Sequence, residues 1–374
     1  MSARAKNILV ARLDDLFKAP CYQQLRLMII DKANHLADSQ TEGIDAFTKW
    51  MQSFEKILVK NPNDRFNIDA WLLSSAVSEL EKNVVLSKNI IPFYLAEWLY
   101  FLPPQPMFKD GNGRCRIYGI SFPGSDYLED LHPLDYAWLY HELGHHIIDR
   151  VDPKVFQPVL TALKGAINIE KRRLPSASAQ VRKVINERLK RYEQAWAPES
   201  FENWTTEIVS DIISLWCCGP AFLHSYHEAI RGFIGNPFAT NSTHLPHALR
   251  IRLIIDAGET LSWNKQLDLL HNCDKKWNVG SSGVVAHNEF NAMLQGNLPS
   301  VTLNTALEIC KGYGLPLCKP ASLDNAREWA KTPQPVTSTL QLILGAWVKH
   351  SEARQKFDEW ERNVIEIFSS ELKE

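Results

Sequence analysis

Long apolar runs are missing from this sequence: no stretch of its 374 residues approaches the 18 apolar positions in a row that suggest a bilayer-spanning helix. The first residues, Met1 to Leu16, carry Arg4, Lys6, Arg12, Asp14 and Asp15 and lack the apolar core of a signal peptide. A cytoplasmic location with no membrane partner is therefore the expectation. The 7 cysteines are odd in number, scattered and without a C-x-x-C pair. That pattern gives neither a disulfide framework nor a zinc ribbon. Cys217 and Cys218 lie in an apolar run and are expected to pack as small hydrophobes. An excess of one charge is also lacking, since 41 basic side chains face 43 acidic ones. A nucleic-acid coat or a membrane-surface protein would carry a basic surplus, so no nucleic-acid partner is expected. Internal repeats and low-complexity tracts are absent.

What is present is material for a core. Hydrophobic residues make up 45% of the chain, among them 12 Trp, 16 Phe and 10 Tyr, which is too much apolar surface for a disordered chain. The length allows two or three domains. Residues 1–100 read as helices, with Leu9, Leu13 and Phe17 at four-residue spacing and Ala70, Leu73, Val77 and Leu80 in a 3-and-4 pattern. Asn61-Pro62-Asn63-Asp64 breaks them, and Leu102 to Pro106 ends them. The β-branched and aromatic run Cys115 to Phe122 predicts a strand. A helix is expected from Leu134, just after His132-Pro133, to Asp149, apolar on nearly every side and hence buried. A helical hairpin follows over 154–195, broken at Pro175 and rich in basic residues (Lys171, Arg172, Arg173, Arg182, Lys183) that read as a solvated face. Thr205 to Trp216 forms another apolar helix, stopped by Gly219-Pro220, and helices resume to about Leu270. The expected fold is mainly α with a small β-sheet. Its parts are an N-terminal helical region (1–100), a central domain (101–270) and a C-terminal helical region (271–374).

The buried helix carries His141-Glu142-Leu143-Gly144-His145. Residues i and i+4 of a helix differ by about 40° in azimuth, so both imidazoles leave one face and can grip one ion. Glu142 stands beside the first ligand, where a carboxylate can take a proton from water. With 12 His and 24 Glu in the chain, composition alone yields only about 0.02 chance matches to this pattern. Gly144 lets another backbone approach that turn. Two histidines need a third protein ligand. The metzincin solution, a further His six residues on, fails because Val151 stands there. The alternative is a Glu on a later helix with an Asp one turn beyond it, and Glu207 and Asp211 on an otherwise apolar helix supply that pair. Two carboxylates on one face of a buried helix repel unless a cation lies beside them. Glu207 as ligand and Asp211 as acceptor from His141 would relieve that cost.

On these residues the chain resembles the gluzincin zinc metallopeptidases, the group that includes thermolysin and the membrane-bound prenyl-protein and heat-shock peptidases. The resemblance covers the strand before the H-E-x-x-H helix, which in such enzymes pairs with an extended substrate, and Glu207 with Asp211. It also covers Thr243-His244-Leu245-Pro246 with Arg250, similar to the Ser/Thr-His-Pro and downstream Arg of the heat-shock branch. Leu245 interrupts that last match, and 62 residues separate His145 from Glu207 (207 − 145), more than thermolysin's short gap. The resemblance implies a zinc peptidase acting on a peptide or protein: His141, His145 and Glu207 on Zn²⁺, Glu142 as general base, His244 as oxyanion helper. Arg250 is expected to tie its helix to a carboxylate near the site. Two other readings compete: a regulatory metalloprotein that cleaves one specific partner, and a non-catalytic protein with a structural zinc. The first calls for a helix-turn-helix and a basic domain, which the sequence does not display; the second has no use for Glu142.

Overall fold

The helix predicted to sit in the middle of a domain does so. It is named α1 here and spans Ala137–Ile148, and ten of its twelve residues are buried, including His141 and Glu142. The computed structural model describes residues 132–148, 151–173, 198–231, 245–280, 297–334 and 338–371, with 90–96, 100–102, 118–123, 237–238 and parts of 72–80 and 178–187. These residues are mainly helical. They divide into two compact units, one of residues 134–326 with 346–348, the other of the remainder.

The first unit holds α1, α2 (Gln157–Arg173), α3 (Pro198–Cys218), α4 (Pro220–Arg231), α5 (His247–Thr260), α6 (Asp268–Gly280), α7 (Leu298–Gly312) and most of α8 (Pro320–Lys331). Pro133 does not begin α1 directly. Residues 134–136 form a tighter lead-in, with amides of Ala137, Trp138 and Leu139 bonded three residues back, so α1 starts later than Leu134. Helix α3 is longer than the apolar run that announced it, and it is the spine against which α1 lies. Three contacts fix an antiparallel register: Ser214 Oγ donates to the Ala137 carbonyl at 2.7 Å, His141 meets Asp211, and Gly144 faces Ser210. A Cβ on Gly144 would stand 3.0 Å from the Ser210 Cα, so glycine is what lets the two backbones come this close.

Gly219 turns the chain from α3 into α4 with φ +53°, a left-handed conformation that glycine adopts without strain. Pro220 then opens α4, where a missing amide costs nothing. Helix α4 returns over α1: Ser225 Oγ donates to the Leu134 carbonyl at 2.6 Å, and Phe222 and Tyr226 pack on Trp138. The foot of α3 is pinned by Trp216, whose indole N–H donates to the Leu315 carbonyl at 3.0 Å and whose carbonyl accepts from the Cys318 amide at 2.8 Å. Cys217 and Cys218 are buried as small apolar groups, as expected. Burial pushes the Cys318 thiol up to about 12, which keeps it protonated and unreactive. Within the hairpin region, α2 is followed by helical residues at 179–180, 182–183 and 186–187, and Arg182 and Lys183 are exposed there, in keeping with a solvated face.

The second unit contains helical residues at 72–73, 75–77 and 79–80 with Leu73, Val77 and Leu80 buried, the part of the N-terminal helical pattern that is described. It also holds most of α9 (Thr339–Ala353) and α10 (Phe357–Glu371). Ser338 caps α9 by accepting from the Gln341 amide, and Thr339 Oγ1 donates to the Leu72 carbonyl at 2.7 Å. Three short strands lie here too. Strand β1 (Ile90–Ala96) pairs in parallel with β3 (Tyr118–Pro123), and β2 (Tyr100–Leu102) pairs antiparallel with β3. The stretch 90–96, expected to be helical, is extended: Pro92 has no amide to give a helix, and it disfavours helical φ/ψ at Ile91. Among the described residues no strand falls in the unit that bears the H-E-x-x-H helix. The strand expected over Cys115 to Phe122 is found as β3, Tyr118–Pro123, in the other unit; helices make up the described core around α1.

Candidate metal centre

Two helices bring the three expected ligands together. His141 and His145 leave the same face of α1, one turn apart, with their Nε2 atoms 3.2 Å from each other. From α3, Glu207 places Oε2 3.6 Å from His141 Nε2 and Oε1 3.5 Å from His145 Nε2. One donor atom from each residue fits within a span of 4.8 Å. Metal–ligand bonds of about 2.0–2.2 Å meeting at tetrahedral angles put donor atoms about 3.3–3.5 Å apart. The observed separations fit a single small divalent ion. The chemistry of the set, two imidazoles and a carboxylate, fits as well.

The antiparallel register of α1 and α3 explains how two distant motifs coincide. Each turn gained along α1 is a turn lost along α3, so His141 falls opposite Asp211 and His145 opposite Glu207. Asp211 is 1% exposed, and its Oδ1 lies 2.9 Å from His141 Nδ1. A carboxylate there accepts the Nδ1 proton and leaves the Nε2 lone pair facing Glu207 and His145.

Arg250, on α5, completes the arrangement. Its Nε and Nη2 donate to the two oxygens of Asp211, each at 2.8 Å, and its Nη1 lies 3.4 Å from Glu207 Oε2. This is the tie to a nearby carboxylate expected of it. Burial alone would raise the Asp211 carboxyl, but the Arg250 charge and the hydrogen bonds from His141 and Arg250 hold it far below the ordinary range. Burial acts against a charged His141 ring. The hydrogen bond and charge of Asp211, with the charges of Glu142 and Glu207, outweigh it and raise the ring's pKa. Burial likewise opposes the Arg250 charge, and Asp211 more than restores it. Glu142 is itself buried beside His141.

Exposure is unequal around the cluster. The His141 side chain is 4% exposed, whereas His145 and Glu207 are 16% and 13% exposed. The cluster is sealed on the Asp211 side and reachable on the side of His145 and Glu207. His244 lies outside the described residues.

Sequence reasoning did not single out the aromatic floor of this site. Trp138 sets its ring edge-on to His141 at 5.4 Å and stacks on Tyr226 at 5.7 Å. Phe222 packs on both Trp138 and Tyr226. The Arg250 guanidinium sits over the Tyr226 ring, 5.6 Å from its centre. The signal was there in a weak form: Phe222 and Tyr226 are i, i+4 on α4, and Trp138 stands one turn before His141. Tyr140, left in the core by the sequence, is fully buried.

Comparison with family models, with curated proteins and with solved structures finds no match. The likeness to gluzincins therefore rests on the residues themselves. Among the described residues no helix is long and apolar enough to cross a membrane.

Proposed function

We propose that this chain is a gluzincin-type zinc peptidase, with a catalytic core formed by α1, α3 and α5. The observation that carries the reading is the convergence of His141, His145 and Glu207 at 3.2–3.6 Å, with Asp211 behind His141. Three protein ligands with one side partly exposed match the open pattern of catalytic zinc better than the four-ligand pattern of structural zinc. A buried Glu142 next to the first ligand has a use in hydrolysis and none in a site that merely joins helices.

His141, His145 and Glu207 would hold the ion, which when bound supplies Lewis acidity and brings a water's pKa toward about 7. Glu142 takes up the proton and later delivers it to the leaving amine. Asp211 keeps the Nδ1 proton on His141 and so fixes which nitrogen faces the ion. Arg250 balances Asp211 and Glu207, so that the buried carboxylates are tolerated before any cation arrives. A peptide or protein is the substrate class this chemistry suits.

The test is to measure zinc content and peptide-bond cleavage on the purified chain and two variants. One zinc per chain is expected in the wild type, with affinity lost in Glu207→Ala. Glu142→Gln should keep the zinc and lose cleavage. Absence of zinc uptake, or cleavage that persists in Glu142→Gln, refutes the reading; zinc held without any cleavage of a broad peptide mixture would favour a structural site or a single dedicated partner.

A further inference from the structure

We propose that Tyr226 is a positioning residue of the metal centre, acting through Arg250; the inference rests on the reading of His141, His145 and Glu207 as ligands. His141 is oriented by Asp211, and Asp211 is gripped at both oxygens by Arg250. Arg250 reaches this point as a long side chain from α5, and its own direction must be fixed by something. Its Cζ lies 5.6 Å from the centre of the Tyr226 ring. A planar guanidinium over an aromatic face is held by the ring quadrupole, more firmly where water is excluded, and both residues are buried here.

The ring is itself immobilised. It stacks on Trp138 at an interplanar angle of 28° and touches Phe222 of its own helix. Trp138 in turn sets its edge against the His141 ring. Tyr226 thus bears on His141 through Arg250 and Asp211 to Nδ1, while the Trp138 stack holds the Tyr226 ring in place. The hydroxyl is not what does this: it is buried and has no hydrogen-bond partner among the described residues. The aromatic face carries the role, so phenylalanine should replace tyrosine and an aliphatic side chain should not.

The experiment measures Zn²⁺ affinity by competition with a chromophoric chelator, and the visible absorption of the Co²⁺ form, in folded wild type, Tyr226→Phe, Tyr226→Leu, Arg250→Lys and the double variant Tyr226→Leu/Arg250→Lys. Tyr226→Leu is expected to weaken Zn²⁺ binding about tenfold and to change the Co²⁺ spectrum, the scale of losing an outer-shell support. Tyr226→Phe should stay within about twofold of wild type. In the Arg250→Lys background, Tyr226→Leu should cost less than about threefold, because the two act in series. Circular dichroism establishes that each variant is folded, and Tyr226→Met serves as the ringless variant if Tyr226→Leu is not. Unchanged affinity and spectrum in the ringless variant overturn the inference, as does an equal loss in Tyr226→Phe or an undiminished loss in the Arg250→Lys background. If wild type itself takes up no Zn²⁺, the ligand reading falls and this inference with it; if wild type binds and only the ringless variant behaves as wild type, this inference falls alone.

Discussion

Removing the guanidinium of Arg250 should be among the most damaging single changes near the site, and its size follows from the geometry. Arg250→Met preserves most of the side chain's volume and deletes two charge-assisted hydrogen bonds of 2.8 Å to a carboxylate that is 1% exposed. Such bonds contribute about 1.5–3 kcal/mol each, and breaking a buried ion pair costs about 3–5 kcal/mol because the surviving charge stays uncompensated. The expected loss is therefore about 3–5 kcal/mol, measured by urea unfolding with chelator present. The sign of its pH dependence is also fixed. Asp211 titrates below its unfolded value near 3.9, so its ionised, paired form adds stability that is complete above about pH 4. That stability drains away as the pH falls toward the depressed folded value. Without Arg250 the carboxyl titrates higher, and the difference between variant and wild type should be largest at pH 7 and shrink below pH 4. A loss under about 1 kcal/mol at pH 7, or one that does not shrink in acid, would refute the picture of a buried Asp211 carboxylate dependent on Arg250.

Asp211→Asn should preserve the fold and weaken zinc by about 10–100-fold, because an amide at that position supports the His141 Nδ1–H less well; equal affinity in a chelator titration would detach Asp211 from the site. Gly144→Ala should destabilise by about 1–3 kcal/mol in thermal unfolding, since its Cβ would meet the Ser210 backbone at 3.0 Å and push α1 from α3. The same shift should lower zinc affinity, as His145 and Glu207 sit across that seam. Asp256→Asn should raise the melting temperature at pH 7: burial and the Glu259 charge raise this carboxyl against the pull of Arg252, so ionising it costs stability as the pH rises past about 4. Below about pH 3.5 both forms are neutral, and the gain should vanish in a melting series.

The residues that sequence reasoning located share one property: their signal is local. His141 and His145 announce a common face because four residues of helix fix it, and Glu207 and Asp211 do so by the cost of two carboxylates in an apolar run. Whether the two faces meet depends on the crossing of α1 and α3, and even that left a trace in Gly144, where a side chain would bar the approach of Ser210. Arg250 was legible as a cation in search of a carboxylate, since a buried guanidinium has few other partners. Tyr226 and Trp138 were not, because an aromatic residue on an apolar face looks the same whether it fills space or carries a guanidinium. Only the turn at Gly219-Pro220, which brings α4 back over α1, decides between the two. The same reason accounts for the start of α1 and for Ile90–Ala96: Pro133 and Pro92 were visible, but whether a proline opens a helix, delays it or forbids it is set by where the neighbouring carbonyls find donors. The site thus divides by range. Ligand identity is written within one turn of helix, while the angle at which His141 presents its nitrogen depends on Asp211, Arg250 and Tyr226, which arrive from three other helices.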